Sequence, residues 1–364
     1  MSQTLIFQNA LLTWFDTHGR KDLPWQQDLS HYRVWVSEIM LQQTQVKTVI
    51  PYFNRFMQRF PTLLDLAEAP LDLVLQHWAG LGYYARARNL HKAARIIANE
   101  YGGQFPNTIS AVSSLPGIGR STAAAILSIV EQQALAILDG NVKRVLTRVH
   151  AIRGYPGDKK INDELWQIAE RYTPSERAGH YTQAMMDLGA TLCTRSKPRC
   201  TDCPVQTHCK AHAKAEVSLY PGKKPSKVNP VRQAHFLLMV DPNGRILLEQ
   251  RPAQGIWGGL WTLPSFDDLT ALQMWLTECY GAALTAYCWP ERKHVFTHFS
   301  LLFTPVQVNM AASDNYSPND LHSWYAREEI AQLGLPAPIK HLLNDYYKAY
   351  HEQNDLLCET KTAS

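Results

Sequence analysis

The sequence predicts a multidomain protein, an all-α first part followed by a smaller α+β domain. Three observations predict it. The chain has 364 residues, more than one ordinary domain holds. Apolar spacing changes from three and four to two past residue 230. Charge divides at nearly the same place: residues 1–227 carry 27 basic and 18 acidic side chains, a net +9, and residues 228–364 carry 9 and 14, a net −5. A basic part joined to an acidic part places polyanion binding in the first. With 45% hydrophobic and 19% charged residues, wholesale disorder is excluded. No apolar run approaches the roughly 18 to 20 residues of a membrane span. Residues 1–15 lack the basic start and cleavage site of an export signal, so a cytoplasmic protein is expected.

Residues 1–211 read as helical. Val34, Ile39, Leu41 and Val46, and then Leu90, Ala93, Ile96 and Ile97, recur at helical spacing. Tyr101-Gly102-Gly103 and Tyr155-Pro156-Gly157 punctuate breaks. Residues 212–230, with Tyr220-Pro221-Gly222-Lys223-Lys224-Pro225, read as a linker. A second domain is expected over 231–350. Ala234 to Val240 and Arg245 to Gln250 flank a hairpin turn at Asp241-Pro242-Asn243-Gly244, and another β-like run spans Lys293 to Val308. Leu269 to Tyr280 and Ile339 to Tyr350 read as amphipathic helices, and 351–364 as a frayed polar tail.

Three features carry chemistry. The first is Leu115-Pro116-Gly117-Ile118-Gly119-Arg120-Ser121-Thr122, followed by a small apolar run through Ile126. Gly117 and Gly119 permit a tight turn whose N–H groups face a phosphate at a helix N-terminus, and Ile118 pins the turn to the core. This is a helix–hairpin–helix signature, spanning 115–126, that grips DNA backbone and does not read bases. The second is a pair of carboxylates. Asp139 follows three apolar residues and precedes a helix-like run; alone it would be a helix cap, but beyond a DNA-gripping hairpin it can stabilise positive charge on a sugar losing its base. Glu38 sits in the apolar segment Val34 to Leu41, where burial raises a carboxyl pKa and suits a general acid.

The third is a cysteine loop, 193–209. Cys193, Cys200, Cys203 and Cys209 follow the spacing C-x6-C-x2-C-x5-C, while Cys279, Cys288 and Cys358 are scattered. Four thiolates suit a [4Fe–4S] cluster or an all-cysteine zinc site; with one C-x2-C pair instead of two, the spacing favours iron–sulfur. Arg195, Lys197 and Arg199 make the same loop a second phosphate contact.

Together these features resemble the helix–hairpin–helix DNA glycosylases of the endonuclease III superfamily. Within it, the chain is similar to the bacterial adenine DNA glycosylases of MutY type over nearly its whole length. Leu23-Pro24-Trp25, Val34 to Thr48, Gly80 to Arg88, Leu115 to Thr122, Leu138 to Val145 and Gln183 to Ala190 carry the likeness. The resemblance implies a monofunctional enzyme that flips adenine out of a duplex, opposite 8-oxoguanine or guanine, and hydrolyses its glycosidic bond. It implies one [4Fe–4S] cluster on the four cysteines, a monomer on double-stranded DNA in the nucleoid, and no membrane contact. Glu38 would protonate adenine N7, Asp139 would stabilise the sugar cation, and Asn141 would hold that constellation. Arg20, Trp25 and Gln183 match the base pocket. Gln43 and Tyr83 match residues that enter the base stack, and Thr44 and Leu81 match contacts to 8-oxoguanine.

Three departures matter. Bifunctional relatives carry a hairpin lysine as nucleophile; this chain has Ser121, which cannot form a Schiff base. Lys143, near Asp139, is expected to bind phosphate, with occasional trapping of the opened sugar as its other use. The end of the chain, through Arg251-Pro252 and Gly255 to Pro264, resembles a Nudix-like domain, yet Asp267 to Tyr280 lacks the glutamates that would hold Mg²⁺. It reads as a lesion-checking module. The family's Phe-Ser-His loop is here Phe296-Thr297-His298, so Thr297 and His298 would meet 8-oxoguanine. The competing readings are a sister glycosylase for thymine mismatches or oxidised pyrimidines, and a non-catalytic lesion sensor holding the cluster.

Overall fold

A computed structural model describes residues 2–224, 228–280, 284–311 and 322–361. Its contacts divide the chain into two units: residues 1–68 with 89–226, and residues 69–88 with 227–364. No helix among the described residues is long and apolar enough to cross a membrane.

The first unit is helical. Ser2 caps Gln3–His18 by accepting from Leu5 N, and Phe7 and Leu11 of that helix are fully buried. Ser30 caps His31–Leu41 in the same way, accepting from Arg33 N. That helix is apolar on nearly every side: Val34, Trp35, Val36, Ile39 and Met40 are at most 2% exposed. Such a helix belongs in a core, and it packs against Arg120–Glu131, whose run Ala123 to Ile129 is also buried. The small side chains Ala123, Ala124 and Ala125 let these helices approach. Ala178–Asp187 also packs against Arg120–Glu131 and continues as a π turn, Leu188–Leu192, into Cys193.

Among its described residues, the second unit is an eight-stranded sheet with flanking helices. Its strands are β1 (Val231–Val240), β2 (Ile246–Gln250), β3 (Trp261–Thr262), β4 (Ser265–Phe266), β5 (Ala286–Cys288), β6 (Arg292–Val295), β7 (Ser300–Asn309) and β8 (His322–Tyr325). The central pair, β1 and β7, runs parallel from Val231↔Ser300 to Val240↔Asn309. Hairpin partners flank it: β2 against β1 through Val240↔Ile246, and β6 against β7 through Val295↔Ser300. Asp241 builds the first turn by accepting from Asn243 N and Arg245 N. Leu237, Met239, Val306 and Val308 meet Leu272 and Leu276 of the Leu269–Tyr280 helix to form the core. The last helix, Ala337–Lys361, runs on where a frayed tail was expected from residue 351; residues 362–364 lie outside the described ones.

Residues 69–88 join this second unit although they sit early in sequence. The Leu71–Trp78 helix presents Leu75 to Gly259 and Gly334, Asp72 accepts from Gln250, and Arg88 donates to the Gly258 carbonyl.

Candidate active site

Glu38 is carried by the buried His31–Leu41 helix into a cleft of about 1210 Å³ in the first unit. Asp139 lines the same cleft. It is the N-cap of Gly140–His150, accepting from Val142 N at 2.8 Å, so the cap and the cleft carboxylate are one residue. Arg20, Trp25, Gln43, Thr44, Ser121, Asn141 and Gln183 line it too. Residues far apart in sequence are thus brought to one cavity.

The two carboxyls differ. Burial raises Glu38 to about 8, and the negative charge of Asp139 pushes the same way. Burial raises Asp139 as well, but the N–H groups of Val142 and Asn141, the Arg144 charge and the Asn141 side chain oppose it. Glu38 therefore holds its proton at neutral pH, while Asp139, also raised on balance, is surrounded by the groups that favour its anion.

Asp139 is held by Asn141, backed by Arg144 and Gly189, two residues not singled out from sequence. Asn141 Nδ2 donates to Asp139 at 3.2 Å, and Arg144 Nη2 donates to Asn141 Oδ1 at 2.8 Å. Arg144 also donates to the carbonyls of Gly189 and Cys193, both at 2.7 Å. Its place three residues after Asn141, on one helix face, was the available signal. Gly189 is required by close approach: a Cβ there would sit 2.5 Å from Asn141 Cβ. Ser121 Oγ accepts from Leu138 N at 2.9 Å and so ties the hairpin to the residue before Asp139. Lys143 lies on the same helix, outside the cleft lining; burial lowers its pKa and the Asp139 charge opposes that.

The opposite wall is also tied down. Arg20 donates Nε to Asp187 at 2.9 Å and its backbone N–H at 2.8 Å, and Asp187 is only 2% exposed. The Arg20 charge is therefore committed to a carboxylate of the wall. Trp25 stands edge-on to Phe53 at 5.5 Å and is nearly buried. Asp187 and Gln183 share a face of the Ala178–Asp187 helix, four residues apart.

The hairpin has the expected geometry. Ile118 is 4% exposed, and its N–H donates to Leu115. Gly117 has φ +79°, where a Cβ would also lie 2.8 Å from Asn89 Cβ. Gly119 caps Arg120–Glu131, with open space beside it. Gln43 (φ 59°) and Tyr83 (φ 51°) hold left-handed backbone at loop tips, uncommon for side chains of their size.

Leu81, Tyr83, Thr297 and His298 fall in the second unit. Thr297 and His298 form the exposed tip of the β6–β7 hairpin, closed by Phe296 N donating to Phe299 O and by stacking of the two phenyl rings at 4.4 Å. Tyr83 Oη and Thr297 Oγ1 are hydrogen-bonded at 2.7 Å. Arg86 donates to the carbonyls of Leu81 and Gly82, holding that turn.

Cys193, Cys200, Cys203 and Cys209 line one apolar cavity of the first unit, with Leu188, Leu192 and Val205. Among the described residues, no three His, Cys, Asp or Glu side chains converge as a single metal ion would require. Four thiols spread around one space instead fit an iron–sulfur cluster, in which each iron takes its own thiolate. Burial raises Cys203 to about 12 and raises Cys200 and Cys209, so a bound cation is needed to hold them as thiolates. Arg148, 2% exposed, donates to Cys193 Sγ at 3.2 Å.

Residues 36–171 match the model of the HhH-GPD superfamily base excision DNA repair proteins, and residues 235–345 that of the NUDIX domain. The adenine DNA glycosylase of Buchnera aphidicola subsp. Acyrthosiphon pisum (strain APS) is 41% identical, over 94% of this chain and 98% of its own. That of Homo sapiens is 38% identical, over 95% of this chain and 75% of its own. A solved thermostable thymine-DNA glycosylase is 28% identical, with a TM-score of 0.51, covering 58% of this chain and 97% of that one. An endonuclease III–DNA complex, 21% identical with a TM-score of 0.50, covers 59% of this chain and 99% of that one and shares the fold. Fold and comparisons define a hydrolase of base excision DNA repair, with a helical helix–hairpin–helix domain and a Nudix-like α+β domain. The chain belongs to the adenine DNA glycosylase family.

Proposed function

We propose that this protein hydrolyses the N-glycosidic bond of adenine mispaired with 8-oxoguanine or guanine, after flipping the adenosine out of the duplex. The observation that carries this is the placement of Glu38 and Asp139 in one cleft with unlike environments. Glu38, protonated at neutral pH, delivers its proton to adenine N7. The C1′–N9 bond then breaks with its electron pair leaving on the base. Asp139, an anion held by Asn141 and the Val142 N–H, faces the cation left on the sugar. Water adds its oxygen to C1′ and gives a proton to Glu38, which restores neither more nor fewer protons than at the start. No amine is needed, and Ser121 offers none at the hairpin position.

Arg20, Trp25 and Gln183 would enclose the flipped base, Gln43 and Tyr83 would enter the base stack, and Thr44 would contact the 8-oxoguanine. Gly117, Gly119, Ser121 and Lys143 would meet phosphates. Leu81, Tyr83, Thr297 and His298 would read the base opposite the adenine. Their grouping within one unit supports that reading. Cys193, Cys200, Cys203 and Cys209 would hold one [4Fe–4S] cluster. When bound, the cluster would tie the 193–209 loop together through these four thiolates.

Single-turnover excision on a panel of duplexes tests the proposal: A opposite 8-oxoguanine, A opposite G, T opposite G, and thymine glycol. Free adenine from the first two, with little strand nicking before base treatment, is expected. Thymine release, or no base release, would overturn it.

A further inference from the structure

Gln26 stands behind the cleft wall, next to Trp25 on the short Pro24–Gln26 turn, and is not itself among the lining residues. Its amide has a fixed polarity because both ends meet backbone groups. Leu23 N–H can only donate, and it donates to Gln26 Oε1 at 3.2 Å. The Arg20 carbonyl can only accept, and it accepts from Gln26 Nε2 at 2.9 Å. The second hydrogen of that Nε2 goes to Gln183 Oε1, also at 2.9 Å. The carbonyl end of Gln183 is thereby occupied. Its Nε2 has no partner among the described residues, and Gln183 lines the cleft. The Arg20 carbonyl is held in turn, since the Arg20 N–H and guanidinium are both fixed on buried Asp187.

We infer that Gln26 is a positioning residue that locks the Gln183 amide with its N–H groups facing the base, so that the pocket reads an unprotonated ring nitrogen, adenine N1. The inference rests on the adenine-excision reading above. Adenine has three ring acceptors. N7 takes the proton from Glu38 in that reaction, and N3 is an acceptor in guanine as well. N1 is the acceptor in adenine where guanine and hypoxanthine carry N1–H. Two N–H donors facing one another leave both unpaired in a desolvated pocket, which is how such a site rejects the wrong base.

The test uses the full-length, cluster-loaded protein and two duplexes, adenine or 1-deazaadenine opposite 8-oxoguanine, in single-turnover excision. The readout is the adenine to 1-deazaadenine rate ratio of each variant relative to wild type, in which the intrinsic lability of the analogue cancels. Gln26→Glu keeps an acceptor for Leu23 N–H but presents a second acceptor to Gln183, and so turns the Gln183 amide over. We expect this variant to lose about tenfold or more of the ratio. Gln26→Leu, of similar volume, should lower the ratio less, by releasing the amide without reversing it. Adding Gln26→Glu to Gln183→Leu should change nothing further, because the positioning residue then has nothing to position. A Gln26→Glu protein with folded-state stability and the wild-type ratio would overturn the inference; if it does not fold, an unchanged ratio in Gln26→Leu does the same. Failure of the wild type to release adenine strikes the reading it rests on instead.

Discussion

At the residue scale, the chemistry turns on how one protein environment treats two carboxyls differently. Glu38 is desolvated by the apolar helix that carries it; Asp139 is desolvated too, but accepts hydrogen bonds from Val142 N and Asn141 that oppose the rise. An acid must hold its proton to act, so excision by the free enzyme should fall as pH rises through about 8, the value to which Glu38 is raised. The kcat/KM profile checks this: Glu38→Gln should lower the rate by about 10² or more and abolish that alkaline limb. The contact between Tyr83 and Thr297 makes a second residue-scale prediction. Tyr83→Phe removes one hydroxyl from a 2.7 Å pair and leaves the ring. It should narrow the preference for A:8-oxoguanine over A:G by several-fold, while the A:G rate hardly changes, as paired single-turnover assays would show. Glu38 was legible in the sequence because a charge in an apolar segment is conspicuous. Arg144, Asp187 and Gln26 were not, because each meets an atom far along the chain: Cys193 O for Arg144, Arg20 for Asp187, Gln183 for Gln26. Spacing alone says nothing about which distant atom a side chain reaches.

At the scale of elements, two glycines do different work. Gly117 adopts φ +79° to turn the hairpin, so Gly117→Ala should cost about 1–2 kcal/mol of stability and weaken duplex binding. Thermal unfolding and a binding isotherm check this. Gly189 has no such backbone demand; its absent side chain leaves room for Asn141. Gly189→Ala would push the Asn141–Asp139 pair aside, and a displacement of about 1 Å at reacting groups can cost about 10²-fold in rate. That variant should bind duplex near normally and excise slowly, the reverse emphasis from Gly117→Ala. The hairpin was readable from its two glycines and the apolar residue between them. The role of Gly189 was not, since a glycine following a helical run looks like a stop signal until the packed neighbour is known.

At the scale of the molecule, charge and contact divide the chain differently. The net charge changes sign near residue 227, yet residues 69–88 pack with the unit formed by residues 227–364. Helical periodicity assigns that segment to the first part because it cannot register which core a helix covers. The basic first unit implies backbone binding with counterion release, so duplex affinity should fall steeply and linearly on a log–log plot against salt. The proposed discrimination between 8-oxoguanine and guanine would depend on short contacts to a base and should change little over the same range. Fluorescence anisotropy and excision ratios at several salt concentrations check both.

The chemistry available to this protein is written in its residue types and their local spacing. There is a hairpin that needs glycine, a pair of carboxylates in apolar settings and four spaced thiols. There is a hydroxyl where a lysine would make a lyase, and a change of period that marks a second kind of domain. Which groups act on which is a matter of the folded chain alone. Asp139 is held through Asn141 and Arg144, Arg20 is spent on Asp187, Gln26 orients Gln183, and Tyr83 stands with Thr297. Those pairings join residues as many as 214 positions apart. They depend on directional hydrogen bonds and packing between elements, which periodicity does not encode.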